Sequence, residues 1–245
     1  MTPKIIHYCW FGGNPLPDSA KACIASWREK LPDYEIKEWN ESNFDVYANA
    51  YVEEAYRLKK YAFVSDYARF LVLYKYGGIY FDIDVEVLKP LDDIVARGPF
   101  MGQEDMSGTD IGFMVVASGL GMGSCAGQPL LKKVIDRYNN MHYVTALGKT
   151  TGTTVAITTK IMEAEGYETL DNGLLKCCGV YIYPIDYFDP MNFQTREVHI
   201  TENTRTFHHY AESWVTRNPS FFMKLRNKLK RIYVHHFVAL RRALK

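Results

Sequence analysis

Between residues 62 and 84 the chain leaves little choice of local structure. Phe63, Tyr67, Phe70, Leu71 and Tyr74 recur at helical spacing, so the pattern predicts a helix over 62–76. Gly77-Gly78 ends it, and Ile79-Tyr80-Phe81 reads as a short buried strand. Asp82 and Asp84 follow at the strand's end. In an extended chain, residues two apart project to one side, so both carboxylates face one way and Ile83 faces the other, into a core.

The rest of the chain repeats this alternation. Lys4 to Trp10 reads as a first, central strand, closed by Gly12-Gly13-Asn14-Pro15. Asp18 is placed to cap a helix reaching Lys30, with Ala22, Ala25 and Ser26 on one side. Strands are expected over 34–39, 79–81, 111–116 and 180–184, with 85–88 continuing in extended form. Helices are expected over 46–58, 62–76, 128–139 and 153–165. The four glycines between 119 and 127 read as a loop. Strands and helices in alternation favour an α/β fold, a mostly parallel central sheet with helices on both faces.

The chain has 245 residues, enough for one such domain. No run of about 18 apolar residues occurs, so no membrane span is expected. The start lacks the apolar core of a signal peptide, and five cysteines without CxxC spacing read as reduced thiols, so a cytoplasmic location is expected. Charge is uneven. Nine of the 29 Lys/Arg and none of the 28 Asp/Glu lie from Arg217 to Lys245, so the preceding 216 residues carry a net charge of about −8. From about residue 220 the tail mixes Phe221, Phe222, Leu225 and Leu229 with Lys224, Arg226, Lys228 and Lys230. That is a basic amphipathic helix, suited to an anionic membrane surface or a partner. The division expected is a catalytic body over 1–216 and a basic tail over 217–245. Basic charge confined to the tail, on an acidic body, fits nucleic-acid binding poorly, and no partner of that kind is expected.

Paired carboxylates suit Mn²⁺ or Mg²⁺ when the other ligands are phosphate oxygens and water. Asp-x-Asp alone is also what a solvated loop looks like; its place at the carboxyl end of a central strand is where open α/β sheets bind ligands. Asp66 and Arg69 share one face of a largely apolar helix, and buried charges there need polar partners such as ribose or sugar hydroxyls. Trp10 beside its glycine turn is either a core tryptophan or a stacking wall for a base. His208 and His209 are adjacent, so a strand cannot aim both at one ion. Neither GxxxxGK[ST], GxGxxG nor G-x-S-x-G is present.

Taken together, Ile6-His7-Tyr8-Cys9-Trp10-Phe11-Gly12, Ser65-Asp66-x-x-Arg69, Tyr74-x-x-Gly77-Gly78-x-Tyr80-x-Asp82-x-Asp84 and His208-His209-x-x-x-Ser213-Trp214 resemble the DXD-containing glycosyltransferases. This family includes bacterial capsular polysaccharide transferases, and the yeast initiating mannosyltransferase and the glucosylating clostridial toxins are similar. The resemblance implies a GT-A (Rossmann-like) fold, a nucleotide-sugar donor, Mn²⁺ or Mg²⁺, and retention of configuration. It implies Asp82, Asp84 and Arg69 as catalytic residues. It implies Trp10, Tyr61, Ser65, Asp66, Arg69, Tyr80, Asp82, Ser213 and Trp214 as donor-binding, and Asp82, Asp84, His208 and His209 as the metal set. Retention without an evident nucleophile implies front-face attack; a double displacement would use Asp105 or Asp110. The expected substrates are a UDP-hexose, with GDP-mannose second, and a growing capsular or O-antigen oligosaccharide on a lipid carrier. The basic tail would then hold the enzyme at the inner leaflet, at about 1 kcal/mol per surface-proximal Lys or Arg. A toxin-like enzyme glycosylating a protein is the alternative.

Overall fold

The computed structural model describes residues 2–104, 115–144, 152–192 and 195–211. In chain order the elements are β1 (Ile5–Cys9), α1 (Asp18–Lys30), β2 (Glu35–Trp39), α2 (Ala50–Arg57), α3 (Tyr61–Tyr76), β3 (Gly78–Tyr80) and β4 (Val85–Val87). Then come α4 (Asp92–Arg97), β5 (Phe100–Glu104), β6 (Val115–Ser124), α5 (Pro129–Asn139) and α6 (Thr154–Glu165). The last are β7 (Glu168–Thr169), β8 (Leu175–Cys177), β9 (Val180–Tyr183), α7 (Ile185–Phe188) and β10 (Thr206–His208).

Eight strands form one sheet in the order β2-β1-β3-β6-β5-β9-β8-β7, while β4 and β10 pair separately. The pairings make β6 and β8 the two reversed strands among eight, so the sheet is mostly parallel in direction. Alternation along β1 feeds two cores. Ile6 and Tyr8 pack with Trp27 of α1 and with Phe81, Phe100 and Phe188 on one face. Cys9 packs with α2, α3, α5 and α6 through Tyr51, Phe70, Leu131 and Met162 on the other.

Helix α3 ends as its sequence predicts, with Gly77 and Gly78 at φ +67° and +100°, the left-handed region that favours glycine. A side chain at Gly78 would also press on His7 Nε2, at 3.0 Å. His7 is buried, and its partners fix the neutral ring: Trp39 Nε1 donates to Nδ1 at 3.0 Å, so Nε2 carries the hydrogen facing Gly77 O at 2.9 Å.

Four expectations are corrected. Helix α1 is preceded by Pro17 without a side-chain cap; Asp18 is its first residue, and the buried face is Ala20, Cys23, Ile24 and Trp27, leaving Ala22 and Ala25 exposed. The segment 46–58 is helical only from Ala50, capped by Asn49, whose side chain accepts from Val52 N. The supposed glycine loop is part of the long strand β6, whose glycines make room for neighbours: a side chain at Gly123 would meet the Phe100 ring, and one at Gly121 would meet Phe188 and Phe81. Finally, Asp82 to Val85 is not extended. Val85 N donates to Asp82 O at 3.1 Å, closing a turn, and Ile83 is only half-buried. The 105–114 and 212–245 segments, including the tail and the proposed boundary at 216/217, lie outside the described residues.

Candidate active site

The site is built where β3 runs out. Tyr80 is the last residue of β3, and Phe81 N donates to His7 O at 3.1 Å, keeping the chain beside β1. The turn that follows brings Asp82 and Asp84 together. Helix α1 steadies the far side of this turn: Trp27 Nε1 donates to Val85 O at 2.7 Å, and Val87 N donates to Ser26 Oγ at 2.9 Å.

Arg69 organises one half of the site. It is 5% exposed, yet its guanidinium meets Asp66 Oδ1 at 3.0 Å and Asp82 Oδ1 at 3.1 Å. It also donates to Ser65 O at 3.2 Å and Ser118 Oγ at 3.3 Å. Tyr80 adds a hydroxyl to Asp82 Oδ1 at 2.9 Å. Burial opposes the Arg69 charge, but Asp82, Tyr80 and Asp66 outweigh it and raise its pKa above the ordinary value. Burial pushes Asp66 up to about 6 against the pull of Arg69. Cys9, buried beside Arg69, Asp82, Tyr80 and Ser65, has its thiol pushed up to about 12 by burial.

The other half is tied by the strap that ends the described chain. β10 pairs antiparallel with β4, bringing His208 opposite Val85. His208 Nε2 meets Asp84 Oδ1 at 3.1 Å, Ala211 N donates to Asp84 Oδ2 at 2.8 Å, and His209 N donates to Asp84 O at 2.9 Å. Burial alone would raise the Asp84 pKa; His208 and the Ala211 N–H overcome it and hold the carboxyl down to about 2. The Tyr210 ring stands 4.2 Å from His208, and its hydroxyl donates to Asp189 at 2.7 Å.

Among the described residues, Asp82, Asp84 and His208 are the one group whose ligand atoms all lie close enough to share a metal ion, within 4.8 Å of one another. The set fits Mn²⁺ or Mg²⁺: two hard carboxylates, one imidazole, and a buried His208 Nδ1 that lacks a hydrogen-bond partner. His209 does not join them. Its Nε2 meets Glu86 Oε2 at 2.9 Å, because neighbours on a strand face opposite ways.

Trp10 sits on the turn after β1, where its indole donates to Asn14 O at 2.6 Å. Tyr61, at the start of α3, lays its ring against Gly12, and Ser65 Oγ donates back to Tyr61 O at 3.2 Å. Of the four expected donor-side residues of α3, Tyr61 thus stands against the Trp10 turn, while Asp66 and Arg69 gather with Asp82. Ser213, Trp214, Asp105 and Asp110 lie outside the described residues.

Two contributors are not visible in the sequence. The β5–β6 register jumps from Met101↔Met122 to Gly102↔Ala117, so Ser118–Gly121 leave the β5 ladder. This bulge delivers Ser118 to Arg69 and Gly119 to Asp82, whose N–H donates to Gly119 O at 3.2 Å. A side chain at Gly119 would overlap Asp82 Oδ2.

With this geometry the comparisons with known proteins agree. Residues 17–101 match the family described as glycosyltransferase sugar-binding region containing DXD motif. Within those residues the chain carries Asp82-Ile83-Asp84, an Asp-x-Asp sequence. It is similar to inositol phosphoceramide mannosyltransferase 3 of Schizosaccharomyces pombe, 28% identical over 141 residues, 54% of this chain and 36% of that protein. It is also similar to an uncharacterized glycosyltransferase of Acanthamoeba polyphaga mimivirus, 30% identical over 109 residues, 41% of this chain and 42% of that one. The matched part thus spans well under half the length of these curated relatives. The solved structure of the PaToxG glycosyltransferase superimposes with a TM-score of 0.50 at 20% identity, over 67% of this chain and 70% of that one, which shows a shared GT-A-like fold.

Proposed function

We propose that this protein is a metal-dependent, retaining glycosyltransferase that moves a hexose from a nucleotide-sugar donor to a lipid-linked oligosaccharide, as in capsule or O-antigen synthesis. The observation that carries the reading is the convergence of Asp82, Asp84 and His208 beside the Arg69 network. A divalent cation held by these three residues supplies positive charge for a leaving diphosphate.

The chain's own residues do the rest. Trp10 and Tyr61 wall the base; Tyr80, Ser65 and Asp66 line the ribose and sugar; Ser213 and Trp214 close over the diphosphate. Arg69 fixes the Asp66 and Asp82 carboxylates and adds charge near the departing group. The acceptor hydroxyl attacks C1 from the face the diphosphate leaves. Its oxygen bonds to C1 as the C1–O phosphate bond breaks, and the β-phosphate takes its proton. The alternative double displacement would use Asp105 or Asp110 as nucleophile, and both lie outside the described residues.

A UDP-hexose is the donor expected from the sequence. GDP-mannose is the second reading, favoured by the relatives' names, which also put a lipid on the acceptor side. Among the described residues no helix is long and apolar enough to cross a membrane, and the basic segment over 217–245 supports peripheral attachment at an anionic inner leaflet. The test is nucleotide-sugar hydrolysis across UDP-glucose, UDP-galactose and GDP-mannose, with and without Mn²⁺, in wild type and Asp84→Asn. Metal-dependent release of one nucleoside diphosphate, lost in the variant, is the expected result. Failure to bind any donor would sink the reading.

A further inference from the structure

The turn carrying Trp10 is braced at Gly12 by Glu41 and Tyr61, with Tyr56 packed behind Tyr61. Glu41, just after β2, accepts from Gly12 N at 2.6 Å. The phenol of Tyr56, near the end of α2, has its pKa raised by burial and by the nearby Glu41 carboxylate. The Tyr56 ring stands 5.7 Å from that of Tyr61, at the start of α3. The Tyr61 ring in turn fills the space beside Gly12 where a side chain would stand. Gly12 sits at φ +98°, so the turn exists only in a strained-for-others conformation that these contacts select.

We propose that Glu41 is a positioning residue for the donor base. It rests on the reading above that Trp10 meets the base. The carboxyl ends of β1 and β2 are where an open α/β sheet receives its ligand, and Glu41 ties those two ends together. It needs no contact with the reacting atoms. Holding the Trp10–Asn14 turn before the donor arrives removes an ordering cost from binding and leaves the chemical step unchanged.

The experiment is steady-state kinetics on wild type, Glu41→Ala, Glu41→Gln and Gly12→Ala, at saturating Mn²⁺. The donor is whichever of UDP-glucose, UDP-galactose and GDP-mannose the wild type turns over. Glu41→Ala should raise donor KM about tenfold with kcat within about twofold, the loss of one backbone-to-carboxylate bond. Glu41→Gln, whose amide oxygen still accepts from Gly12, should restore KM to within about threefold. Gly12→Ala, pushing the turn off Tyr61, should raise KM like Glu41→Ala. An unchanged KM in either alanine variant, a fall in kcat without a KM rise, or no rescue by glutamine overturns the proposal; the Gly12 variant decides it if Glu41→Ala does not fold. A wild type that binds none of the donors overturns the transferase reading together with this one, whereas wild-type turnover indifferent to Glu41 overturns this one alone.

Discussion

Replacing Gly119 by alanine should silence the site while leaving the fold in place. The added Cβ overlaps Asp82 Oδ2 and stands 3.1 Å from both Asp82 Cγ and Arg69 Nη1. Gly119 is not among the positive-φ residues, so the backbone accepts alanine and the conflict falls on the Asp82 carboxylate. Asp82 must swing away from Arg69 at 3.1 Å and from Tyr80 at 2.9 Å. A charge-assisted bond contributes about 1.5–3 kcal/mol, and partial recovery through water leaves a loss of roughly 2–4 kcal/mol. That converts to about 30- to 1000-fold in Mn²⁺ affinity or in kcat/KM. Melting should fall by only about 4–8 °C, the scale of ~2 kcal/mol in a chain of this size. The assay is a Mn²⁺ titration of donor hydrolysis, with a thermal melt alongside. Gly152→Ala is the control, because its Cβ would find only Ala156 at an ordinary 3.8 Å. A Gly119→Ala enzyme with wild-type Mn²⁺ dependence would refute the argument that this bulge exists to make room for Asp82.

Arg69→Lys keeps a charge but not the fork that reaches Ser65, Asp66, Asp82 and Ser118, so activity should drop at least about 100-fold and stability by roughly 2–4 kcal/mol, read by turnover and urea unfolding. Burial pulls the His7 pKa down to about 4 from 6.5, so the unfolded chain takes a proton that the folded one refuses. Stability is complete above the unfolded value and falls with pH, by about 2 kcal/mol between pH 7 and 5, with the slope reduced in His7→Gln; equal slopes in the two proteins would contradict the assigned neutral ring. Removing residues 218–245 should abolish flotation with anionic liposomes while sparing hydrolysis of soluble donor; unchanged flotation would dismiss the basic tail as the membrane contact.

The 65–84 block was legible because one local pattern carries both fold and chemistry: apolar residues at helical spacing, a glycine stop, then carboxylates. The same logic failed wherever the site depends on what packs from afar. The glycines of β6 look like turn residues, yet they are small because Phe100, Phe188 and the Asp82 carboxylate occupy the space above them. Strand alternation rightly separated His208 from His209, but it gave the wrong reason for the pairing of Asp82 with Asp84, which a turn brings together. Short strands such as β10 carry no periodic signal over three residues; pairing with β4 is what makes it a strand. Glu41 was invisible because its partner is a backbone N–H, which no side-chain pattern records.

Asp84 and His208 are 124 positions apart, while the eight-stranded sheet is complete at Tyr183. All eight strands of the sheet are therefore made before the last of the three side chains that converge at the site. The strap is not a mere appendage, since Phe188 fills the core beside Phe100 and Thr206 Oγ1 donates to Leu120 O at 3.2 Å, so the stretch that carries His208 to Asp84 also completes the packing behind the sheet.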